Sequence, residues 1–427
     1  MKVLVIGGGG REHALCWSLA RAADVDEIVC APGNAGIAKI ARCAHVKPDD
    51  PSAVRALAER EHADLVVVGP EAPLVAGVAD ALREAGIAVF GPSATAAQLE
   101  GSKAYAKEVM AEAGVPTARH WTGTDAAAAK EALEGFAAPY VVKADGLAAG
   151  KGVRLCDTRA EASEAIDEAI VARAFGDAGA RVVLEEHLAG PELSVFAISD
   201  GTRVALLAPA QDHKRVGDGD TGPNTGGMGA YSPVPLADEA LLERVRCEAL
   251  QPTIDALAAR GTPYVGVLYA GLVLTGEGPK VLEYNCRFGD PEAQAVLPRL
   301  RGSLAAVLRS AARGRLTQTR LDTDDTACVT VVLAAAGYPG RYDKGARITG
   351  LESLAAREDV LVFHAGTTKR EGQLVTDCGR VLAVSGLGAD LRAARDAAYG
   401  AVDHIDFDGA FCRRDIAARA IDGATER

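Results

Sequence analysis

Aromatic residues are scarce, with eight Phe, nine Tyr and two Trp making up 4% of the 427 residues. Ala, Val, Leu and Gly must therefore fill the interior, which suits a chain of repeated strand–helix units. None of the nine cysteines forms a CxxC pair or a metal-finger pattern. That argues against disulfide scaffolds and zinc modules, and leaves buried free thiols in a reducing compartment as the expectation. Basic charge is also in deficit, with 46 Lys and Arg against 58 Asp and Glu and a net charge of −12. A general nucleic-acid or anionic-membrane surface is thereby disfavoured. Any phosphorylated ligand must be met by local lysines, arginines and glycine loops. No apolar run reaches membrane-spanning length, and no secretory leader follows Met1-Lys2. The expectation is a cytoplasmic protein with no nucleic acid, no membrane and no obligate protein partner.

The length suggests about three domains at roughly 150 residues each. Short apolar strands at residues 3–6, 27–30, 65–68 and 87–90 alternate with helical stretches and end in Gly or Pro turns. This is the pattern of a parallel sheet covered on both faces, with ligands beyond the strands' carboxyl ends. From Ser102 the pattern changes. A helix through Ala113 leads to a compact segment, about residues 117–188, and then to longer strands at 193–198, 204–211, 264–274 and 280–287. Residues 221–233 are dense in glycine and proline and read as an irregular loop. After a helix near 304–313, a smaller module restarts the strand pattern at 326–336. The expected class is α/β and α+β multidomain. Its parts are a parallel-sheet domain (1–101), a central domain (102–313, with a flexible subdomain at about 117–188) and a small C-terminal α+β domain (314–427).

Four segments carry chemistry. Gly7-Gly8-Gly9-Gly10-Arg11-Glu12-His13 joins a strand to a helix, where backbone N–H groups and the helix end suit an anion. The dinucleotide fingerprint fails, because its third glycine would fall on Glu12 or His13. A small phosphorylated ligand fits better than a nicotinamide cofactor. Lys143-Ala144-Asp145-Gly146-Leu147-Ala148-Ala149-Gly150-Lys151-Gly152 is not a Walker loop. Only three residues separate Gly146 from Gly150-Lys151, and Gly152 stands where a Ser or Thr would hold magnesium. A glycine hairpin with a strand lysine and a tip lysine is a different phosphate clamp, able to close over a triphosphate. In Glu283-Tyr284-Asn285-Cys286-Arg287, strand alternation puts Glu283, Asn285 and Arg287 on one face and Tyr284 and Cys286 on the other. A carboxylate beside an amide oxygen suits Mg²⁺ sharing phosphate oxygens, and a nearby arginine suits a transferring phosphoryl group. Finally, Gln211-Asp212-His213-Lys214 runs into the glycine-rich segment Thr221-Gly222-Pro223-Asn224-Thr225-Gly226-Gly227-Met228-Gly229, which points to close approach of backbone to a ligand. A structural histidine is as good a reading of His213 as a base, so no catalytic role is assigned to it.

Together these motifs resemble the glycinamide ribonucleotide synthetase family of the ATP-grasp superfamily. The resemblance also takes in Ala31-Pro32-Gly33-Asn34-Ala35-Gly36, Val68-Gly69-Pro70-Glu71-Ala72-Pro73-Leu74, Leu99-Glu100-Gly101-Ser102-Lys103 and Arg287-Phe288-Gly289-Asp290-Pro291-Glu292. It runs nearly end to end. It implies a central ATP-grasp fold and an ATP-dependent carboxylate–amine ligase of purine biosynthesis. Glycine would be activated as glycyl phosphate and joined to 5-phosphoribosylamine, with ATP as co-substrate and Mg²⁺ or Mn²⁺ as metal. It further implies that Lys103 and Lys143 neutralise the ATP phosphates under a lid containing Gly146, Gly150, Lys151 and Gly152. Glu185 would accept from the adenine amino group, the backbone from Glu186 to Leu188 would complete that edge, and Glu192 would bind the ribose. Glu283 and Asn285 are the implied metal ligands and Arg287 the implied catalytic group. Gly9, Gly10, Arg11, Glu12, Asn34 and Glu71 would line the acceptor site. Asp212, Lys214, Gly227 and Gly229 would serve the glycine and acyl-phosphate end. Many ATP-grasp enzymes carry a further acidic ligand where Gly271 stands, so a second metal would need water or Glu292.

Three other readings compete. A nicotinamide-dependent oxidoreductase rests on the failed glycine fingerprint. A silent ATP-binding regulator would not need Lys143, Glu283, Asn285 and Arg287 all in place. An ATP-grasp ligase with a different acceptor amine is the nearest rival among enzymes.

Overall fold

The computed structural model describes residues 1–147 and 152–423, so Gly150 and Lys151 of the expected lid lie outside the described residues. Val3, Leu4, Val5 and Ile6 have no exposed surface, because successive side chains of their strand enter two different cores. Leu4 and Ile6 join one cluster, and Val3 and Val5 the other. Their strand, β1 (Lys2–Gly7), lies in a parallel sheet with β2 (Glu27–Pro32), β3 (Arg42–Cys43), β4 (Leu65–Val68) and β5 (Val89–Phe90). The order is β3-β2-β1-β4-β5. The chain leaves β1 toward β2 on one side and returns as β4 on the other, so a crevice opens between the ends of β1 and β4. The helix Gly10–Ala20 begins at that mouth.

The helix Lys103–Glu112 leads into a four-stranded sheet of β6 (His120–Gly123), β7 (Tyr140–Ala144), β8 (Val153–Cys156) and β9 (Val182–Glu186). Its order is β6-β9-β7-β8, with every pairing antiparallel. This unit encloses a core of its own around Leu133, Val142, Ile166 and Leu184. The chain continues through β10 (Glu192–Asp200), β11 (Val204–Leu206), β12 (Gln211–Asp212), β13 (Arg215–Gly217), β14 (Thr221–Asn224), β15 (Gly229–Ser232), β16 (Val265–Thr275) and β17 (Gly278–Asn285). A second antiparallel sheet has the order β11-β10-β16-β17, and β17 faces the four-stranded unit through the Thr117–Val281 bridge. The last part holds β18 (Ala327–Ala334), β19 (Val360–His364), β20 (Thr367–Arg370), β21 (Gln373–Thr376), β22 (Arg380–Gly388) and the helix Leu391–Val402.

Three expectations are corrected. Residues 221–233 are not an irregular loop. Thr221–Asn224 pairs with β13, and Gly229–Ser232 is a buried strand between β12 and β18. Glycine content hid that strand, yet Gly229 is required there, since a Cβ would lie 2.7 Å from the Thr330 carbonyl oxygen. The strand expected at 204–211 stops at Leu206. Beyond it Pro209, which has no N–H to give a ladder, precedes Gln211–Asp212 in a different sheet. The strand expected at 280–287 ends at Asn285, because Cys286 N turns away to donate to Glu100 Oε2 at 2.7 Å. The sheet β12-β15-β18-β22-β19 also draws strands from both sides of residue 314. All nine cysteines are free. No helix among the described residues is long and apolar enough to cross a membrane.

Candidate functional site

Alternation along β17 decides which side chains face the cleft. Tyr284 turns into the core, its hydroxyl 2.7 Å from Thr253 Oγ1, and Cys286 is buried on the same side. Glu283 and Asn285 point the other way. Gly271 of β16 pairs with Glu283 of β17, and a Cβ there would sit 3.3 Å from Glu283 Cγ, so glycine gives the acidic side chain the space it occupies. Burial pushes the Glu283 carboxyl upward, but Lys214, Lys143, Lys103 and Arg287 together hold it below the usual carboxylate range. Four cations from four separate stretches of chain thus converge on one acid.

Each cation has its own support. Lys143, on β7, is buried with Nζ 2.9 Å from Glu185 Oε2 and 3.4 Å from the Leu282 carbonyl oxygen. Lys107, on the helix Lys103–Glu112, lies 3.2 Å from Glu185 Oε1 and donates to Thr117 Oγ1 at 2.7 Å. Thr117 in turn donates to the Val281 carbonyl at 2.6 Å. Burial lowers Lys107 to about 8, with Glu185 opposing the shift. Burial likewise raises Glu185, but Lys143 and Lys107 outweigh it and hold the carboxylate below its ordinary range. Both Glu185 oxygens therefore lie beside lysines, but Oε1 makes no hydrogen bond among the described residues and so remains an open acceptor. Glu186 accepts from Arg119 N at 2.9 Å, and Leu188 follows the end of β9.

Lys103 Nζ donates to the Gly146 carbonyl at 3.3 Å, while Asp145 accepts from Ala104 N at 2.7 Å and from Ser102 Oγ at 3.0 Å. The start of the glycine segment is thereby fastened to the helix that carries Lys103. Gly152 closes its far side, its carbonyl accepting from Ala144 N at 2.7 Å. Lys214 contacts the Glu192 carboxylate and also faces Asp212 and Glu283. Asp212 is pushed up to about 7 by burial, with Lys214 pulling against Glu292 and Glu192. The Lys214 carbonyl accepts from Thr225 N and Oγ1, each at 2.8 Å, and Thr225 Oγ1 accepts from Gly227 N at 2.9 Å. Gly227 has φ +105°, and a Cβ there would lie 2.4 Å from Pro291 Cδ, so only glycine fits this approach. Gly229 lies within β15 rather than on that loop.

Arg287 reaches the N-terminal sheet. Its Nε donates to Glu71 Oε2 at 2.9 Å, and its NH2 lies 3.0 Å from Glu100 Oε1 and 3.2 Å from Asn285 Oδ1. Arg11 NH1 is 3.4 Å from the same Glu71 oxygen. Despite burial, Arg287 and Arg11 hold Glu71 down to about 2. At the helix end where an anion was expected, the chain supplies its own carboxylates. Gly9 N donates to Glu12, and Arg11 N donates to Asp290 Oδ2 at 3.3 Å. A Cβ on Gly10 would lie 2.5 Å from Gln294 Nε2. Glu12 Oε1 is buried without a hydrogen-bond partner among the described residues, although Arg11 Nε is 3.8 Å away. The Asn34 side chain is fully engaged, donating to the Gly8 and His364 carbonyls at 2.9 and 2.8 Å and accepting from Gly36 N and Ile37 N.

The donor set fits a divalent cation that shares phosphate oxygens. One carboxylate and one amide oxygen stand side by side, and no group of three His, Cys, Asp or Glu among the described residues could hold a metal alone. Mg²⁺ is usually bound in this way, by one or two protein oxygens with phosphate and water. Glu292 accepts from the Tyr269 hydroxyl at 2.7 Å, and Tyr269 pairs with Asn285 across the sheet. Sequence reasoning assigned no role to Lys107, Glu100, Asp290 or Arg380. Glu100 and Asp290 stood inside motifs already quoted, while nothing local marks Lys107 or Arg380.

Comparison with known proteins agrees along the whole chain. Family models match at residues 1–100 (phosphoribosylglycinamide synthetase, N domain), 101–293 (ATP-grasp (A) domain) and 328–419 (C domain). A phosphoribosylamine–glycine ligase of Streptomyces coelicolor is 56% identical, covering 98% of this chain and 99% of that one. One of Agrobacterium fabrum is 50% identical, covering 99% of each. The crystal structure of phosphoribosylamine–glycine ligase from Thermotoga maritima aligns with TM-score 0.87 and 35% identity, covering 98% of this chain and 100% of that chain. The biotin carboxylase domain of the Hydrogenobacter thermophilus 2-oxoglutarate carboxylase, solved with MgADP, shares the fold at TM-score 0.74 and 19% identity, covering 96% and 91%.

The Lys143–Glu185–Lys107 node yields a stability test. Glu185→Gln leaves two buried lysines without their carboxylate and should destabilise the ligand-free protein by about 3–5 kcal/mol. The urea midpoint measures this, and an unchanged midpoint would contradict the ion-pair role.

Proposed function

We propose a residue-level mechanism from one premise: the chain belongs to the phosphoribosylglycinamide synthetase family. It is an ATP-dependent ligase that joins glycine to 5-phosphoribosylamine, giving glycinamide ribonucleotide, ADP and phosphate in purine biosynthesis. ATP-grasp enzymes use ATP and a divalent metal. The observation that carries the assignment of roles is that the strand bearing Glu283 and Asn285 is met by Lys143 at the Leu282 carbonyl and by Arg287 at Asn285 Oδ1.

ATP lies between the four-stranded unit and the sheet bearing β17. Lys103 and Lys143 neutralise its phosphates, beside Gly146 and Gly152. The backbone of residues 186–188 takes the adenine edge beside Glu185, and Glu192 takes the ribose. Glu283 and Asn285 hold Mg²⁺ or Mn²⁺, which when bound supplies positive charge at the terminal phosphates. Glycine lies near Lys214 and Gly227, and its carboxylate oxygen attacks the γ-phosphorus. A P–O bond forms to glycine, the bond to the β-phosphate breaks, and ADP departs. Preorganised cations suit this step, because charge rather than covalent chemistry dominates phosphoryl transfer.

The acceptor occupies the β1–β4 crevice, among Gly9, Gly10, Arg11, Glu12, Asn34 and Glu71. Its hydroxyl and amino donors suit Glu71 and the unpartnered Glu12 oxygen. The amine attacks the carbonyl carbon of glycyl phosphate, a C–N bond forms, and Arg287 steadies the oxyanion before phosphate leaves. Asp212 takes the amine proton, as a base works best with a pKa near the working pH. The division into 1–101, 102–313 and 314–427 belongs to this reading, as does a cytoplasmic location, which the nine free thiols support.

Two measurements test it. With glycine labelled by ¹⁸O in its carboxylate, one label should appear in the released phosphate; unlabelled phosphate would rule out glycyl phosphate. Because the folded pKa of Asp212 is raised to about 7, wild-type kcat/KM for the acceptor should climb with pH through that value. The Asp212→Asn variant should lose that acid limb along with at least 100-fold in rate, in line with general-base contributions of roughly 10²–10⁴. An unchanged limb would remove Asp212 from the role.

A further inference from the structure

Three parts of the chain meet at the Asp290 carboxylate. From the helix Gly10–Ala20 of the N-terminal part, Arg11 N donates to Oδ2 over 3.3 Å, with Arg11 Nε 3.9 Å from the same oxygen. From the following helix, Gln294 Nε2 donates to Oδ1 at 2.8 Å. From β22, Arg380 NH1 lies 3.6 Å from Oδ1 and donates to the Asp290 carbonyl at 2.6 Å. The side chain is 9% exposed. Burial would raise its pKa, but Arg380 and Arg11 keep it below the usual range, so it stays a carboxylate.

These contacts complete a ring. Arg287 binds Glu71 at 2.9 Å, Glu71 faces Arg11 at 3.4 Å, Arg11 binds Asp290, and three peptide units lead back to Arg287. Arg380 extends the ring to the opposite wall, because its NH1 also donates to the Gly226 carbonyl and, at 3.3 Å, to that of Gly227. We infer that Asp290 is a positioning residue for the ligation, setting the distance between the Arg287 guanidinium and the Gly9-Gly10-Arg11 turn. The inference rests on the reading of Arg287 and of the N-terminal crevice given above. A carboxylate is needed because, among the described residues, Asp290 is the one acid in ion-pair reach of Arg380 and also faces Arg11, a charge that an amide of equal size does not supply. Asp290 touches no phosphate of ATP on this account. Its loss should therefore act on the acceptor half of the reaction and spare nucleotide binding.

The test is Asp290→Asn in the full-length protein, assayed with ATP, glycine and freshly generated phosphoribosylamine beside the wild type. Wild-type turnover tests the ligase reading itself, and the ratio of variant to wild type tests the inference. The expected result is a fall of roughly 10–100-fold in kcat/KM for phosphoribosylamine, the range of one lost charge-assisted bond. The Kd for ATP should stay within about twofold. Arg380→Gln, which removes the partner on the other side, should give the same split, and it decides the matter if Asp290→Asn does not fold. Wild-type kcat/KM in the variant would overturn the inference. So would a loss of ATP affinity in proportion to the loss of turnover, which would mark a merely structural role.

Discussion

One carboxylate among four cations governs the rest of the structure. Positive side chains gathered in a cleft are unstable unless each has a counter-charge or a carbonyl nearby. Here Lys143 has Glu185, Lys214 has Glu192, Arg287 has Glu71 and Glu100, and Lys103 reaches the Gly146 carbonyl. All four also act electrostatically on Glu283 and favour its charged form. A polyphosphate entering this cleft meets cations that are already oriented, so little side-chain ordering remains to be done on binding. Glycine at 271 lets the Glu283 side chain lie close against the neighbouring strand, where a Cβ would press on its Cγ at 3.3 Å.

The same charges explain why three parts of the chain are needed for one reaction. Arg287 leaves the strand that bears Glu283 and Asn285 and ends among carboxylates of the N-terminal region. The bend at Cys286, fixed by Glu100, is what sends it there. Asp290 and Arg380 close the opposite side, joining the helix end at Gly10 to the Gly226-Gly227 loop. On the proposed reading, activation of glycine and capture by the amine take place at neighbouring points of this network. A reactive acyl phosphate needs that proximity, since it must meet the amine before it meets water.

Much of this was legible in the sequence, and for physical reasons. Period-two alternation placed Glu283 and Asn285 together and sent Tyr284 and Cys286 into the core, where they are found. Continuous apolar runs at residues 3–6 and 65–68 marked strands buried on both faces, and the parallel sheet follows from them. Hidden features depend on distant partners. The strand at Gly229 is made by close approach of Thr330 and Ile416, which no local pattern announces. Lys107 looks like any lysine on an amphipathic helix until folding puts Glu185 across from it. The glycine turn after β1 was read as an anion site, and the helix end does attract anions. Glu12 and Asp290, the second of them 279 residues away from Arg11, answer it within the chain.

The most direct test of the central arrangement is to locate the metal. Crystals of the protein with Mn²⁺ and a non-hydrolysable ATP analogue should show an anomalous peak about 2.1 Å from both a Glu283 carboxylate oxygen and Asn285 Oδ1. The terminal phosphates should lie within reach of Lys143 and Arg287. A peak elsewhere, with Glu283 turned away from the nucleotide, would contradict the account.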